Sequence, residues 1–518
     1  MSNLDSLKYF LPEIVLVGGM LLVILFDLIV SFRKAIPYLV LWIVGVVFFI
    51  SANMLAQGVN ATLFDGLIKL NGFTLFFKML FCLVTGLTVL FSLSGQKEHQ
   101  GVEYYALLLI STLGLFLLAS ANDLLMIYLG LEVVSICSYL LVASLKGVLK
   151  SSEAGLKYVI YGAIASGIMI YGMALLYGLY GTISLPELTN AVTNTPKFGA
   201  GILTLSAALF MVFVGFGYKI AAVPVHMWCP DVYEGAPTEI TAFLSVAPKA
   251  AGFAIIIRFF FGMIPAIPEL SISNSAQFQG YWQTILAVIS VLTMTVGNLA
   301  ALHQTNLKRL LAYSSIAHAG YILMGLVILT TSGIQAIVLY LPIYLFMNMG
   351  AFFVVYIIEH RSDHEPLLGR SERQTGRVDI SEYEGLGWRM PFLGVMMAIF
   401  LFSLVGLPPL AGFIGKFYLF AAVIDAHWYI LAVLGVLNGV VSLYYYARIV
   451  RAMWLNVPSD SSVIPASAFG ETSPSGGQSG IQSVGLFNTI LLLIFVIPVL
   501  VLGIWWTPLI QVINKVMP

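Results

Sequence analysis

Apolar runs about as long as one membrane crossing recur along the whole chain. Fourteen can be marked, near residues 11–30, 36–54, 73–94, 104–120, 123–144, 153–180, 201–223, 238–263, 281–303, 308–329, 334–358, 391–424, 427–454 and 486–507. They are too long for strands and lack the period-two alternation of a barrel strand. A helix needs about 20 apolar residues to cross a bilayer. Inside lipid a backbone must satisfy its hydrogen bonds within its own segment. The pattern therefore predicts an all-α polytopic membrane protein with about 14 transmembrane helices. Two polar stretches interrupt it. Residues 359–389 are charged, and residues 456–485 are rich in Ser, Gly and Pro and read as a flexible loop. Residues 184–196 read as a short interfacial piece.

Composition agrees with this picture and narrows it. Of 518 residues, 60% are apolar and only 9% charged, against about 25% charged in a soluble domain. That excludes an ordinary soluble enzyme, a nucleic-acid binder and a disordered chain. With 24 basic and 24 acidic residues there is no long-range field to gather polyanions. Cys82, Cys137 and Cys229 include no CxxC pair, so neither cluster binding nor a structural zinc is expected. The first apolar run lacks a basic flank and a small-residue cleavage site, and reads as a retained span. No phosphate loop or dinucleotide fingerprint is present, so redox energy must come from another subunit. With both termini outside, 14 Lys and Arg fall in inner loops and 5 in outer ones. The positive-inside rule selects that orientation. A bacterial plasma (inner) membrane is expected, since no transit peptide is visible.

Five basic residues remain, inside apolar segments: Lys78, Lys157, Lys219, Lys249 and Lys416. A charge within a span costs about 2.5–3.5 kcal/mol on insertion scales, so it must face a partner or a polar interior. Glu132, Lys219, Lys249 and Lys416 all lie at mid-span depth. One carboxylate and three amines there point to a chain of titratable sites. Desolvation lowers the proton affinity of a buried lysine and a nearby carboxylate raises it, so a moving partner can switch the amine. The plainer reading is a set of structural ion pairs, or lysines that snorkel to an interface. It carries more weight for Lys78, and for Lys157 near the start of its span.

Helix breakers single out two of these sites. Pro224 follows Lys219 by five residues. Pro408 and Pro409 interrupt the 391–424 run, which also holds Gly406, Gly412 and Gly415. As one straight helix that run would be about 51 Å long, against a core of about 30 Å. A broken helix fits better, and paired interruptions mark transport pathways and related halves. His318 lies about ten residues into its span. It is either a satisfied core residue or a relay group, for which an unperturbed pKa near 6.5 is suited. His226, just after Pro224, is either a proton-uptake group or a packing residue.

These residues carry a resemblance. ANDLLMIYLGLEVVSICSYLL, GFGYKIAAVPVHMWCPDVYEGAPTEITAFLSVAPKAA, NLKRLLAYSSIAHAGYILMG and SLVGLPPLAGFIGKFYLF resemble the antiporter-like subunits of respiratory complex I, over nearly the whole chain. PDVYEGAPT and Lys416 favour the subunit N branch (subunit 2 in mitochondria and chloroplasts). The resemblance implies two inverted five-helix repeats, helices 4–8 over 101–263 and helices 9–13 over 281–454, with helices 7 and 12 broken. Helices 1–3 would occupy 1–100, the flexible loop 455–485, and helix 14 residues 486–518. Glu132, Lys219, Lys249 and Lys416 match the family's proton-pathway positions. Lys157 and His318 match less specific polar positions. No cofactor is implied in this chain. NADH, FMN, iron–sulfur clusters and quinone are expected in partner subunits, and the implied partners are the other membrane-arm subunits and the lipid bilayer. The alternatives are a subunit of a multi-subunit sodium/proton antiporter and a purely structural membrane scaffold.

Overall fold

The computed structural model describes residues 3–29, 33–95, 101–194, 200–261, 263, 274–361, 378–456 and 484–517. The Ser/Gly/Pro loop and most of the 359–389 stretch lie outside these. Thirteen described helices are long and apolar enough to cross a bilayer, and a broken pair of shorter helices, α12a and α12b, stands among them: α1 Leu11–Ile29, α2 Ile36–Ala56, α3 Gly72–Ser94, α4 Val102–Ser120, α5 Leu124–Val142, α6 Leu149–Tyr180, α7a Ala200–Ile220, α8 Thr238–Ile256, α9 Asn274–Leu302, α10 Leu307–Val327, α11 Thr331–Arg361, the pair α12a Pro391–Val405 and α12b Ala411–Asp425, α13 Tyr429–Trp454 and α14 Leu486–Ile504. A further short helix, α7b Trp228–Gly235, follows α7a. The expected interfacial piece is a ten-residue helix, Leu185–Asn194. A two-stranded antiparallel hairpin, Ala61–Leu63 with Ile68–Leu70, joins α2 to α3.

Local chemistry sets several helix starts. Asn71, Asp123 and Asn306 cap α3, α5 and α10, their side chains accepting from the backbone N–H of Thr74, Leu125 and Arg309 at 3.1, 2.8 and 3.1 Å. A helix that is apolar all round must be buried, and the centre of the molecule follows that rule. Every residue of α8 is buried, as are all but two of α10. Outer helices such as α1 and α13 expose broad Leu, Ile and Val faces suited to lipid. Glycines let the central helices touch: a Cβ on Gly297 of α9 would lie 2.6 Å from the Ala317 nitrogen of α10, and one on Gly320 of α10 would lie 2.6 Å from the Met294 nitrogen of α9.

Both expected breaks are present. α7a stops at Ile220, and a turn through 221–227 leads to α7b. The freed carbonyls are satisfied there: Gly217 accepts from the Ala222 N–H at 2.7 Å and Tyr218 from Trp228 Nε1 at 3.0 Å. α12a ends at Gly406, whose φ of +92° few other residues adopt. α12b restarts at Ala411, where the Gly412 N–H donates to Ser403 Oγ at 3.1 Å.

Lys78 is the lysine with the simplest explanation. Its amine lies 2.5 Å from a carboxylate oxygen of Glu13 on α1, with both side chains buried. It is a structural ion pair between α1 and α3. Lys78→Met alone should destabilise the protein by about 3–5 kcal/mol, because Glu13 is left charged and buried. Glu13→Leu with Lys78→Met should recover most of that loss. Thermal inactivation midpoints of the purified assembly check both.

Candidate functional site

The three remaining mid-span lysines have no carboxylate in contact among the described ion pairs. Lys219, at the last turn of α7a, donates to the Ser135 hydroxyl at 3.1 Å. Ser135 lies on α5 one turn beyond Glu132, and its own hydroxyl donates back to the Leu131 carbonyl. Glu132 is within electrostatic reach of Lys219, yet one of its carboxylate oxygens is buried with no hydrogen-bond partner. The expected pair is thus near but open. Gly252 of α8 makes room for the lysine, since a Cβ there would meet Ile220 at 2.6 Å and the Lys219 Cβ at 3.6 Å.

Lys249 sits one turn before Gly252 on α8. Its amine donates to the Ser315 hydroxyl at 2.7 Å and the Ser315 carbonyl at 3.0 Å on α10. Three residues further along α10 stands His318, buried, with Nδ1 2.6 Å from the Tyr340 hydroxyl and Nε2 3.4 Å from the Tyr446 hydroxyl. The Tyr446 hydroxyl also bonds Ser314. His318 lies within electrostatic reach of both Lys249 and Lys416. Another three residues along, Tyr321 presents its ring 4.5 Å from the Lys416 amine. Lys416, on α12b, donates to the Leu404 and Val405 carbonyls at 2.9 and 2.8 Å. Those are end carbonyls of α12a, freed by the break, where a helix carries partial negative charge.

The polar groups therefore fall in one sequence: Glu132, Ser135, Lys219, then Lys249, Ser315, His318 with its tyrosines, Tyr321 and Lys416. The sequence reading identified the charged members and His318. It missed Ser135, Ser315, Tyr321, Tyr340 and Tyr446, since a neutral hydroxyl in an apolar run gives no signal until its partner is placed.

Lys157 stands apart. It bonds Asp231 and Glu153 at 2.7 Å each, and Arg309 ties Asp231 at 2.6 Å to Glu234 at 2.9 Å, which also meets Lys150. This network clamps α7b between α6 and α10. His226 lies in the 221–227 turn, 8% exposed, outside the bonds that link the axis. Among the described residues no three His, Cys, Asp or Glu converge as a metal site, and all three cysteines are buried and free.

The model of the membrane family described as NADH:quinone oxidoreductase/Mrp antiporter matches residues 121–442, which run from α5 into α13. The chain belongs to this family. Relatives include subunit N of NADH-quinone oxidoreductase from an Anaeromyxobacter species, 44% identical over 98% of this chain and 96% of the relative. Among solved structures, a chain of respiratory complex I from Thermus thermophilus is 29% identical, with a TM-score of 0.75 over 96% of this chain and 98% of that one. A chain of the Mrp complex from a Dietzia species shares the fold at 20% identity, with a TM-score of 0.81 over 100% and 97% of the two chains. The family's membrane region thus contains the whole polar sequence from Glu132 to Lys416.

Gly406 tests how the second break seats its lysine. A Cβ there would fall 2.9 Å from Lys416 Cδ on a backbone that disfavours any side chain. Gly406→Ala should cost about 1–2 kcal/mol and push the amine off its two carbonyls. Gly439→Ala on α13, with nothing within 4 Å of the new methyl, should leave stability unchanged or slightly raised. The thermal inactivation midpoints of the two variants should differ accordingly.

Proposed function

We propose that this chain is the subunit N of an NADH:quinone oxidoreductase and moves protons through its buried lysine series, driven by quinone reduction elsewhere in the assembly. The observation that carries the reading is the bonding of Lys219, Lys249 and Lys416. Each amine is buried and held by neutral oxygens. An amine held this way can lose its proton without breaking a contact ion pair. The names of the full-length relatives support the assignment to subunit N. The family's Mrp branch offers the alternative, a subunit of a sodium/proton antiporter, but the likeness to it is one of fold.

In this reading Glu132 is the switch. Two unit charges 4 Å apart attract by about 4 kcal/mol at an effective dielectric near 20. That is enough to shift a proton's occupancy about a thousandfold. When Glu132 closes on Lys219, the ammonium form is held. When the pair opens, as in the present geometry, Lys219 releases its proton through water toward Lys249. His318 and its tyrosines carry it on toward Lys416, which releases it outward. Lys157 serves with Asp231 to anchor α7b, and His226 is a group at the turn rather than on the line.

Both termini face the outer side of a bacterial inner membrane in this reading, as the loop charges require. The other membrane-arm subunits and the lipid bilayer are its partners, and NADH, FMN, iron–sulfur clusters and quinone are bound by partner subunits of the complex. Gentle isolation of the native assembly should bring this chain down with NADH:quinone reductase activity. Comigration with membrane subunits alone, together with sodium-driven proton flux, would replace this reading with the antiporter one. Lys219→Ala in the assembled complex should lower the protons moved per electron, and full pumping in that variant would sink the relay.

A further inference from the structure

A second line of buried polar groups runs between α8 and α11, and the relay above does not use it. Ser245 lies one turn before Lys249 on the same face of α8. Its hydroxyl accepts from Asn348 Nδ2 of α11 at 2.6 Å and donates to the Ala242 carbonyl at 2.7 Å. Asn348 is wholly buried, and its Oδ1 has no partner within the protein. One turn away on α11 is Tyr344, also buried with an unpartnered hydroxyl. Its ring centre is 5.3 Å from that of His318.

In the other direction the line leads to the ends of these helices that bear the inner-loop charges. Glu239, in the first turn of α8, is buried. It stands ten residues from Lys249, about 15 Å along the helix. Glu359, His360 and Lys308 lie within its electrostatic reach. The Thr238 hydroxyl donates to Glu359 and the Lys308 amine to the Ala236 carbonyl. Tyr104 of α4, which feels the Glu239 charge, is buried with an unpartnered hydroxyl. Thr241 offers no stepping stone, since its hydroxyl is engaged with the Tyr233 and Pro237 carbonyls.

An unpartnered buried polar atom is destabilising, and in folded proteins such atoms are usually met by ordered water. Here two of them, Asn348 and Tyr344, lie between Ser245 of α8 and His318, and the third, Tyr104, lies beside the Glu239 carboxylate. We propose that the α8–α11 seam holds a file of water that feeds protons from the inner side to Lys249 directly, with Glu239 as the group that takes them up. The proposal rests on Lys249 acting as a relay amine. Once Lys249 has passed its proton on, the neutral amine receives one through the file from the Glu239 carboxyl. The carboxylate left behind is reprotonated from the inner phase. Asn348 positions the file, with Oδ1 accepting from one water and Nδ2 fixed on Ser245.

The test uses the assembled complex in sealed vesicles, reading protons moved per electron delivered to quinone. Glu239→Gln and Asn348→Leu should each lower that ratio, though less than Lys249→Ala, which removes the amine that both feeds share, and Glu239→Asp should restore much of the loss. If Lys249→Ala is impaired while Glu239→Gln and Asn348→Leu pump normally, the seam is not a proton path. If Lys249→Ala pumps fully, the relay reading itself fails and the seam with it. Hydroxyl-radical footprinting of the unsubstituted complex covers the case of variants that do not assemble. Radicals formed from internal water should oxidise Tyr344 and Tyr104 despite their burial. Labelling of exposed Tyr429 with none at those two would overturn the proposal.

Discussion

The cost of holding an amine away from water governs this structure. Moving an ammonium ion into a low-dielectric interior costs several kcal/mol even after relaxation, and the chain does it with four lysines well inside its spans, besides Lys308 at the start of α10. It meets the cost in two ways. Lys78 has a carboxylate, Glu13, within 2.5 Å. Lys219, Lys249 and Lys416 have hydroxyls, carbonyls and a ring face instead. The first arrangement stabilises a permanent pair and fixes two helices. The second solvates the ammonium without a contact ion pair. The same side chain is thus a strut in one place and, in the proposed relay, a switchable site in three others, and its acceptors separate the two.

The broken helices follow from that requirement. A continuous helix spends its carbonyls on its own N–H groups. Ending α12a at Gly406 releases the Leu404 and Val405 carbonyls, and Lys416 takes both. The break in helix 7 is used differently. Its freed carbonyls are taken by Ala222 and Trp228, so Lys219 must look across to Ser135 on α5. That choice places the amine's acceptor on α5, one turn from Glu132. The ion network of Lys157, Asp231, Arg309 and Glu234 then holds α7b in place without drawing on the axis.

Much of this was legible in the residues. Span length is imposed by the bilayer, so the fourteen apolar runs map onto thirteen span-length helices and the broken α12 pair, with edges shifted by a few residues. Proline and glycine act locally, so the breaks at Pro224 and at Pro408–Pro409 fall where they were expected. Intramembrane charge is conspicuous for the reason it is costly, which exposed Glu132 and the lysines. Partner choice was not legible, because it is tertiary. Nothing local to Lys78 reveals Glu13, which lies 65 positions earlier, or distinguishes Ser315 from other serines. The interfacial character of Lys157 follows from three carboxylates and an arginine that only the packed fold assembles.

One helix binds these features together. α10 supplies the acceptor of Lys249 at Ser315, the central imidazole at His318 and the ring beside Lys416 at Tyr321. The three positions are spaced by three residues, about 4.5 Å of rise each, so they form one stripe. A stripe of this kind transmits protons only if the helix cannot slide, because hydrogen bonds weaken steeply within an ångström. α10 is fixed by the glycine contacts with α9, in which backbone meets backbone at Gly297 and Gly320. A bulkier residue at either would move the whole stripe relative to Lys249 and Lys416 at once. The small residues of this contact therefore serve the polar line as directly as the polar residues do, by holding its register.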